Sequence, residues 1–368
     1  MLYRDGLHDD TEAIQAKLDE CGCVTIEGGI YLISKPLIVH SNTALSLAPD
    51  AVMMLADGAN CAIIENDALE FRGTRRNSNI SIRGGIWNGN NSNQQRRSRE
   101  SRFRLTKYEE DYYYGILMRF VGVDNFHISS LTVKDPESYA MLLCASNGFT
   151  VENINFDYNL LRTNMDGIHV QGPSKNGVIC NIKGTTNDDL VALNCDDVYA
   201  CEITRGNIEN VLVDGLFSDN GYTGVRLLSS GSQMKNISIR NVFGTYRYYG
   251  VSFTHHNIHP GEPVWFDNIL LDGIFVSKAK EFQLEEERYK PVIWFEDGVR
   301  AGNVVIKNVL RTEEEKSEAP TIKIEGKIQI DRLVLRDINE SLADRKSFLE
   351  IDETRIKEFI FEEAKRYG

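Results

Sequence analysis

The amino-acid sequence predicts an all-β fold, a parallel β-helix forming one domain over residues 1–368, with a short helix capping its N-terminal end. Three observations carry this expectation. Apolar residues at helical spacing occur near the start and almost nowhere after it. From Val24 onward they alternate over a few positions at a time, the period of short strands. An Asn or Gly then recurs just before a three-residue apolar alternation, at intervals of mostly 23 to 35 residues, wide enough for one three-strand coil plus a loop of varying size. A β-sandwich, the competing all-β arrangement, would show hairpin turns at shorter and more regular spacing.

Asp10-Thr11-Glu12, followed by Ala13, Ile14 and Leu18, reads as a helix start with Asp10 as N-cap and Gly22 near the stop. Val24 to Ile26, Ile30 to Ile33, Ala44 to Leu47 and Ala51 to Leu55 read as short strands with turns between them. The repeat follows at Asn79 to Ile82, Asn125 to Ile128, Gly148 to Val151, Gly177 to Cys180, Asn210 to Val213, Asn236 to Ile239, Asn268 to Leu271 and Asn303 to Ile306. Inward residues of such coils stack into apolar ladders. An Asn at a corner bonds the next coil and tolerates left-handed backbone, which makes Asn125, Asn210, Asn236, Asn268 and Asn303 the corner candidates. Solenoid ends need caps: the helix around Ile14 and Leu18 would cover one, and Phe348 to Ile351 with Ile356 to Phe361 the other. The charged stretches 88–114 and 279–290 interrupt the alternation and read as surface loops that could close one end of a cleft.

The net charge of −13 argues against a nucleic-acid partner and would repel a polyanionic substrate unless a local basic patch offset the field. Arg96, Arg97, Arg99, Arg102, Arg104 and Lys107, just before Tyr108, Tyr112, Tyr113 and Tyr114, form one candidate patch; the plainer reading is a solvated loop. Seven cysteines lack metal-ligand spacing, and Cys21-Gly22-Cys23 is too tight for an ordinary disulfide, so free thiols are expected. No apolar leader follows Met1 and no apolar run reaches about 18 residues, so a cytoplasmic protein without a membrane partner is expected, or a secreted one if a leader has been removed.

Two acidic clusters are the most informative pattern. Asn164-Met165-Asp166-Gly167-Ile168-His169 is followed one coil later by Asn187-Asp188-Asp189-Leu190-Val191-Ala192-Leu193-Asn194. Stacked strands would set Asp166 and Asp188 about 5 Å apart in backbone terms. Like charges that close cannot all ionise at neutral pH, which keeps at least one carboxyl protonated, the state a general acid needs. This is the chemistry of a carboxylate-based glycosidase, although either cluster alone also fits a plain turn.

These residues resemble the polygalacturonase-type glycoside hydrolases of family 28, right-handed parallel β-helices of the pectin-lyase-like kind. Asp5 to Gln15, with Gly28-Gly29-Ile30-Tyr31 and Lys35-Pro36-Leu37, is similar to the opening shared by many pectin-degrading and tailspike β-helices. Asn164-Met165-Asp166-Gly167 resembles the family's Asn-Thr-Asp-Gly segment, Asn187-Asp188-Asp189 its Gly-Asp-Asp segment, and Gly224-Val225-Arg226 the start of its Arg-Ile-Lys segment. The resemblance implies that Asp188 protonates the glycosidic oxygen while Asp166 and Asp189 hold the nucleophilic water, with no metal or other cofactor. An inverting reaction needs roughly 6.5 to 9.5 Å between acid and base to fit that water. Adjacent strand residues face opposite ways, so Asp188 and Asp189 can share a cleft only if the backbone bends or bulges there.

Two family segments differ here. No histidine lies between Asn194 and Gly224, where the family's Gly-His-Gly is expected, and Arg226-Leu227-Leu228 lacks the family's lysine. Arg226 still offers a planar donor fork for a carboxylate or hydroxyl pair. Asn164, His169, His255 and His256 join it as candidate substrate-binding residues, one of the His255-His256 pair in place of the absent histidine; the plainer reading of His169 is an inward or neighbouring-coil packing role. A zinc site from His255, His256 and His259 has no firm ligand spacing. Trp265, Trp294, Tyr246, Tyr248 and Tyr249 are either sugar platforms or core, and Trp87 reads as structural. The leading function is an inverting, exo-acting hydrolase of pectin-type oligosaccharides. A non-catalytic carbohydrate-binding β-helix and a polysaccharide lyase are the alternatives.

Overall fold

The computed structural model describes every residue except 1, 21, 72–74, 97, 110–111, 257–264, 314–316, 343–348 and 368. The chain forms two compact units, residues 1–177 with 199–205, and residues 178–198 with 206–368. Both are built of parallel strands, and the fold is a right-handed parallel β-helix with an N-terminal capping helix.

In the first unit one run of neighbours is Asp5–Asp9, Gly29–Ile33, Ala51–Leu55, Ile86–Asn88, Val123–Lys134 and Asn147–Asp157. Gly22–Ile26, Thr43–Leu47 and Asn77–Arg83 form a branch that joins Val123–Lys134. A second sheet stacks Leu37–Val39, Ile64–Asn66, Met118–Val121, Met141–Cys144 and Ile168–Gln171. The helix Thr11–Asp19 buries Ile14 and Leu18 against this end. Asp10 occupies its N-cap position, but the Asp10 carboxylate accepts from the N–H groups of Tyr3 and Arg4 instead of capping; Asp9 receives the Thr11 N–H at 2.9 Å.

In the second unit Ile208–Gly221, Gln233–Tyr246, Trp265–Lys278, Arg300–Glu313, Gln329–Leu342 and Ile356–Tyr367 stack in order. Asp189–Asp196, Thr223–Ser229, Val251–Thr254, Ile293–Phe295, Ile322–Ile324 and Leu349–Glu350 stack beside them as a second sheet. The repeat read from the sequence becomes two ladders. Val211, Ile237, Ile269, Val304, Leu333 and Phe359 are register partners, as are Val213, Ile239, Leu271, Ile306, Leu335 and Phe361. The rungs up to Leu333 and Leu335 are buried, while the terminal Phe361 is exposed; burying one such side chain is worth about 1.5–3 kcal/mol, which fixes the register, because a one-residue slip would turn the buried ladder outward.

Corners are made by left-handed residues. Asn79, Asn125, Asn210, Asn236 and Asn268 all have φ between 52° and 58°. Their amides bond from coil to coil: Asn236 donates to Asn210 at 2.9 Å and Asn268 to Asn236 at 3.1 Å. Asn303 joins that ladder through its side chain, donating to Asn268, yet its backbone is not left-handed; its N–H is taken by Asp267 Oδ1 at 3.1 Å. The expected C-terminal cap is also different. Ile356–Tyr367 is a further rung paired along Gln329–Leu342, because its own alternation matches the ladder; Phe348 lies outside the described residues.

Asn236→Ala removes two amide contacts and leaves in left-handed backbone a Cβ without the polar group that makes this conformation tolerable for Asn, so we expect it to destabilise by about 1–2 kcal/mol, whereas Asn236→Gly, which has no Cβ and tolerates that φ, loses about half as much. Urea titrations of the two variants check this; equal losses would remove the conformational part of the argument.

Candidate active site

The first unit holds Asn164, Asp166 and His169 at the entry to strand Ile168–Gln171. Asn164 takes left-handed backbone (φ 58°), and Ser138 Oγ donates to its carbonyl at 3.2 Å. The chain then turns into the sheet, where Ala140 N and Tyr158 Oη both donate to the Asp166 carbonyl. Asp166 and His169 are buried and paired, Nδ1 to Oδ2 at 2.9 Å. The imidazole lies flat on Tyr139, with ring centroids 4.3 Å apart and planes 10° apart. Burial and the nearby Asp166 carboxylate hold the Tyr158 phenol far above its ordinary range, so it is a neutral donor.

Over the outer face of this sheet lies the segment that reads as a solvated basic loop. It is instead packed down: Tyr108, Tyr112 and Tyr114 are buried with Tyr139, Leu142 and Cys201, because four aromatic rings remove more apolar surface from water than the charges resist. The basic patch is partly consumed in this packing. Arg96 donates to the Thr163 carbonyl at 2.7 Å and pairs with Glu137, and Arg102 lies over the rings of Phe103, Tyr114 and Tyr139. Arg104 and Lys107 remain exposed, and Arg97 lies outside the described residues.

The second unit holds Asp188 and Asp189. Residues 187 and 188 form a bend, and the strand Asp189–Asp196 starts immediately after it. The expected break in alternation is therefore a bend and not a bulge. Thr186 Oγ1 donates to the Asp188 carbonyl at 2.8 Å, and the Asp189 N–H donates to Asp188 Oδ1 at 3.1 Å, which fixes the turn. Asp188 is partly buried and Asp189 fully so. Both carboxylates bear on one group: burial first, then Asp188, Tyr248 and Asp189, push the Tyr222 phenol far above its ordinary range.

Arg226 sits on the neighbouring strand Thr223–Ser229. Gly224 precedes it because a Cβ there would lie 2.5 Å from the Gly250 carbonyl oxygen. The guanidinium donates through Nε to Thr254 Oγ1 at 3.1 Å, pairs through Nη1 with Asp189 Oδ2 at 3.4 Å, and meets His256 Nε2 through Nη2 at 3.0 Å. All three nitrogens thus face protein groups. His256 Nε2 also lies 2.8 Å from Asp197 Oδ1, so one ring nitrogen faces both a donor and an acceptor, and its single proton position decides which it serves. His255 turns away: its ring meets the Asp297 carbonyl at 2.7 Å and its N–H donates to Glu296. Of the proposed zinc ligands His259 lies outside the described residues, and among those described no group of three His, Cys, Asp or Glu is arranged to hold a metal.

Tyr246, Tyr248 and Tyr249 are buried, and Trp294 stacks on Tyr249 at 4.7 Å, so the tyrosines offer no open face to a sugar. Trp87 is core, its indole N–H donating to the Gly84 carbonyl. The sequence reading missed Tyr158, Tyr222, Asp197 and Arg247. Only Tyr222 carried a signal, standing just before the Gly224-Val225-Arg226 run.

No family model matches the chain. It is similar to an exopolygalacturonase of Arabidopsis thaliana, 24% identical over 233 residues that make up 61% of this chain and 49% of the relative, so the match spans about half the relative's length. Among solved structures, an exopolygalacturonase from Thermotoga maritima superposes with a TM-score of 0.70 at 14% identity, covering 98% of this chain and 90% of the other. A Streptococcus pneumoniae surface adhesin superposes at 0.65 with 15% identity (100% and 88% covered), and the A-module of an Azotobacter vinelandii mannuronan C-5 epimerase at 0.64 with 13% identity (100% and 97% covered). The chain resembles polygalacturonase-type proteins in sequence and in fold. The structural likenesses alone speak to the β-helix.

Two stability tests follow from these burials. His169→Phe keeps the stack on Tyr139 but leaves buried Asp166 Oδ2 without that partner, a loss of about 1–3 kcal/mol by urea titration; an unchanged midpoint would show that the pair contributes nothing. Lys278, buried with its Nζ on the carbonyls of Arg247 and Tyr248, has its pKa lowered by that burial from 10.5 to about 7. The unfolded chain keeps that proton at higher pH, so the unfolded state binds more protons between the two values and stability is gained as pH rises through them. The stability of wild type relative to Lys278→Met should therefore rise from about pH 7 to about 10, by at most ~1.4 kcal/mol per pH unit. A flat difference would show that the buried amine stays charged.

Proposed function

We propose that the chain is an inverting glycoside hydrolase of pectin-type acidic oligosaccharides, with Asp188 as general acid and Asp189 as a carboxylate that holds the attacking water. The resemblance gives Asp166 the same water-holding role. One observation carries the reading: Asp188 and Asp189, adjacent in sequence, stand where the bend at residues 187 and 188 meets the first residue of its strand, so strand alternation does not force them to opposite faces. In an inverting reaction one carboxyl protonates the leaving oxygen while another carboxylate activates water, whereas in a retaining one the second carboxylate attacks the sugar itself. In the reaction Asp188 gives its proton to the glycosidic oxygen as the bond from that oxygen to the anomeric carbon breaks. Water adds to the opposite face and passes its proton to a carboxylate. The exopolygalacturonase relative and the exopolygalacturonase fold neighbour support both the pectin substrate and release from a chain end.

A second reading is a β-helix that binds acidic carbohydrate without cleaving it. It is favoured by the occupied fork of Arg226, by the lysine missing after it, and by the adhesin among the fold neighbours. A reducing-sugar screen against galacturonan, rhamnogalacturonan and xylogalacturonan oligosaccharides separates the two. Hydrolysis predicts new reducing ends from wild type, reduced at least about a thousandfold in Asp188→Asn. No release from any acidic substrate, with retained binding, would replace the hydrolase by the binding protein, and a new ultraviolet-absorbing double bond would indicate a lyase.

A further inference from the structure

The bend that carries Asp188 is gripped from two strands away. Arg247, only 1% exposed, lies in the turn after Gln233–Tyr246, and its Nη2 donates to Asn187 Oδ1 at 2.9 Å. Its guanidinium carbon sits 5.6 Å from the centre of the Tyr222 ring, the same ring whose hydroxyl feels Asp188 and Asp189. The turn itself is anchored by Arg247 N to the Gly221 carbonyl at 2.7 Å and Tyr248 N to the Tyr222 carbonyl at 2.9 Å. Lys278 Nζ then ties together the Arg247 and Tyr248 carbonyls.

A buried guanidinium needs a counter-charge, because an unpaired ion in the interior costs several kcal/mol. Glu287, equally buried, provides it at 3.7 Å from Arg247 Nη1. Glu287 belongs to the short turn Glu285–Tyr289 inside the 279–290 segment, where its other oxygen accepts the Gln283 N–H at 2.7 Å. The neighbouring Glu286 accepts the Tyr248 hydroxyl. A charged loop far along the chain is thus wired through Glu287 and Arg247 to Asn187.

We propose that the Arg247–Glu287 pair is a positioning device that holds the Asn187–Asp188 bend, and with it the acid. The catalytic part of this rests on the hydrolase reading above; the structural part does not. A fork that reaches Asn187 from a fixed turn sets where the next residue's carboxyl points, and misplacing an acid by about 1 Å can cost on the order of a hundredfold in rate.

The test compares Arg247→Met with the double variant Arg247→Met/Glu287→Gln. The single change leaves Glu287 buried without its partner and should lower Tm; the double change removes both charges and should recover most of that loss. Two readouts are taken at the recovered Tm. Hydrogen exchange of a peptide covering residues 186–194 should be at least about tenfold faster in the double variant than in wild type, and kcat should be about 10- to 100-fold lower with KM within about twofold. Recovery of exchange protection and kcat along with Tm would overturn the proposal and leave the pair as a packing element. If wild type hydrolyses nothing, the hydrolase reading fails, while the exchange comparison still decides whether Arg247 holds the bend.

Discussion

A chain that stacks parallel strands must turn the same corners on every coil, and the left-handed residue is what allows it. At Asn236 and Asn268 a backbone that most residues avoid is combined with a side-chain amide that donates to the coil before it, to Asn210 and Asn236 in turn. The same local choice therefore sets the direction of the chain and its spacing. Register follows from it: once corners align, Val213, Ile239, Leu271, Ile306, Leu335 and Phe361 have no alternative but to share one ladder.

The side chains of the proposed site stand where this regularity is interrupted. Asp189 is the first residue of its strand and Asp188 the last before it, so the two escape opposite faces. In the other unit Asp166 likewise precedes its strand, with its carbonyl taken by Ala140 and Tyr158 and its carboxylate by His169. Turns are exposed by default; these are held by buried partners, and buried polar groups that are satisfied stay in place. The bend at residues 187 and 188 relies on Arg247 and its distant counter-ion, which ties the chemistry of an eight-residue strand to a loop about a hundred residues further on.

Much of this was legible in the sequence, and for a physical reason. The Asn-plus-alternation repeat reports inward and outward positions directly, so the ladders and most corners could be read without a structure, as could the helix that buries Ile14 and Leu18. The bend at residues 187 and 188 was legible because two adjacent acids can share a cleft only if strand alternation is broken between them. What failed depended on partners distant in sequence. Asp10 was given the cap because its type fits, while Tyr3 and Arg4 take its oxygens. Ile356 to Phe361 reads as an end cap because it comes last, although its alternation continues the ladder. The arginine-rich segment looked solvated because charge dominates its composition, yet its tyrosines decide where it lies. Arg247 had no sequence signal, since its meaning comes from Asn187, Tyr222 and Glu287 meeting around it.

The inverting assignment is tested most directly by the anomeric configuration of the first product. Proton NMR of a fresh digest of α-linked galacturonan oligosaccharide, taken before mutarotation, should show the new reducing end first as the β anomer. An α anomer appearing first would mean retention through a covalent intermediate, and would contradict the proposal that the carboxylates beside the acid hold the attacking water.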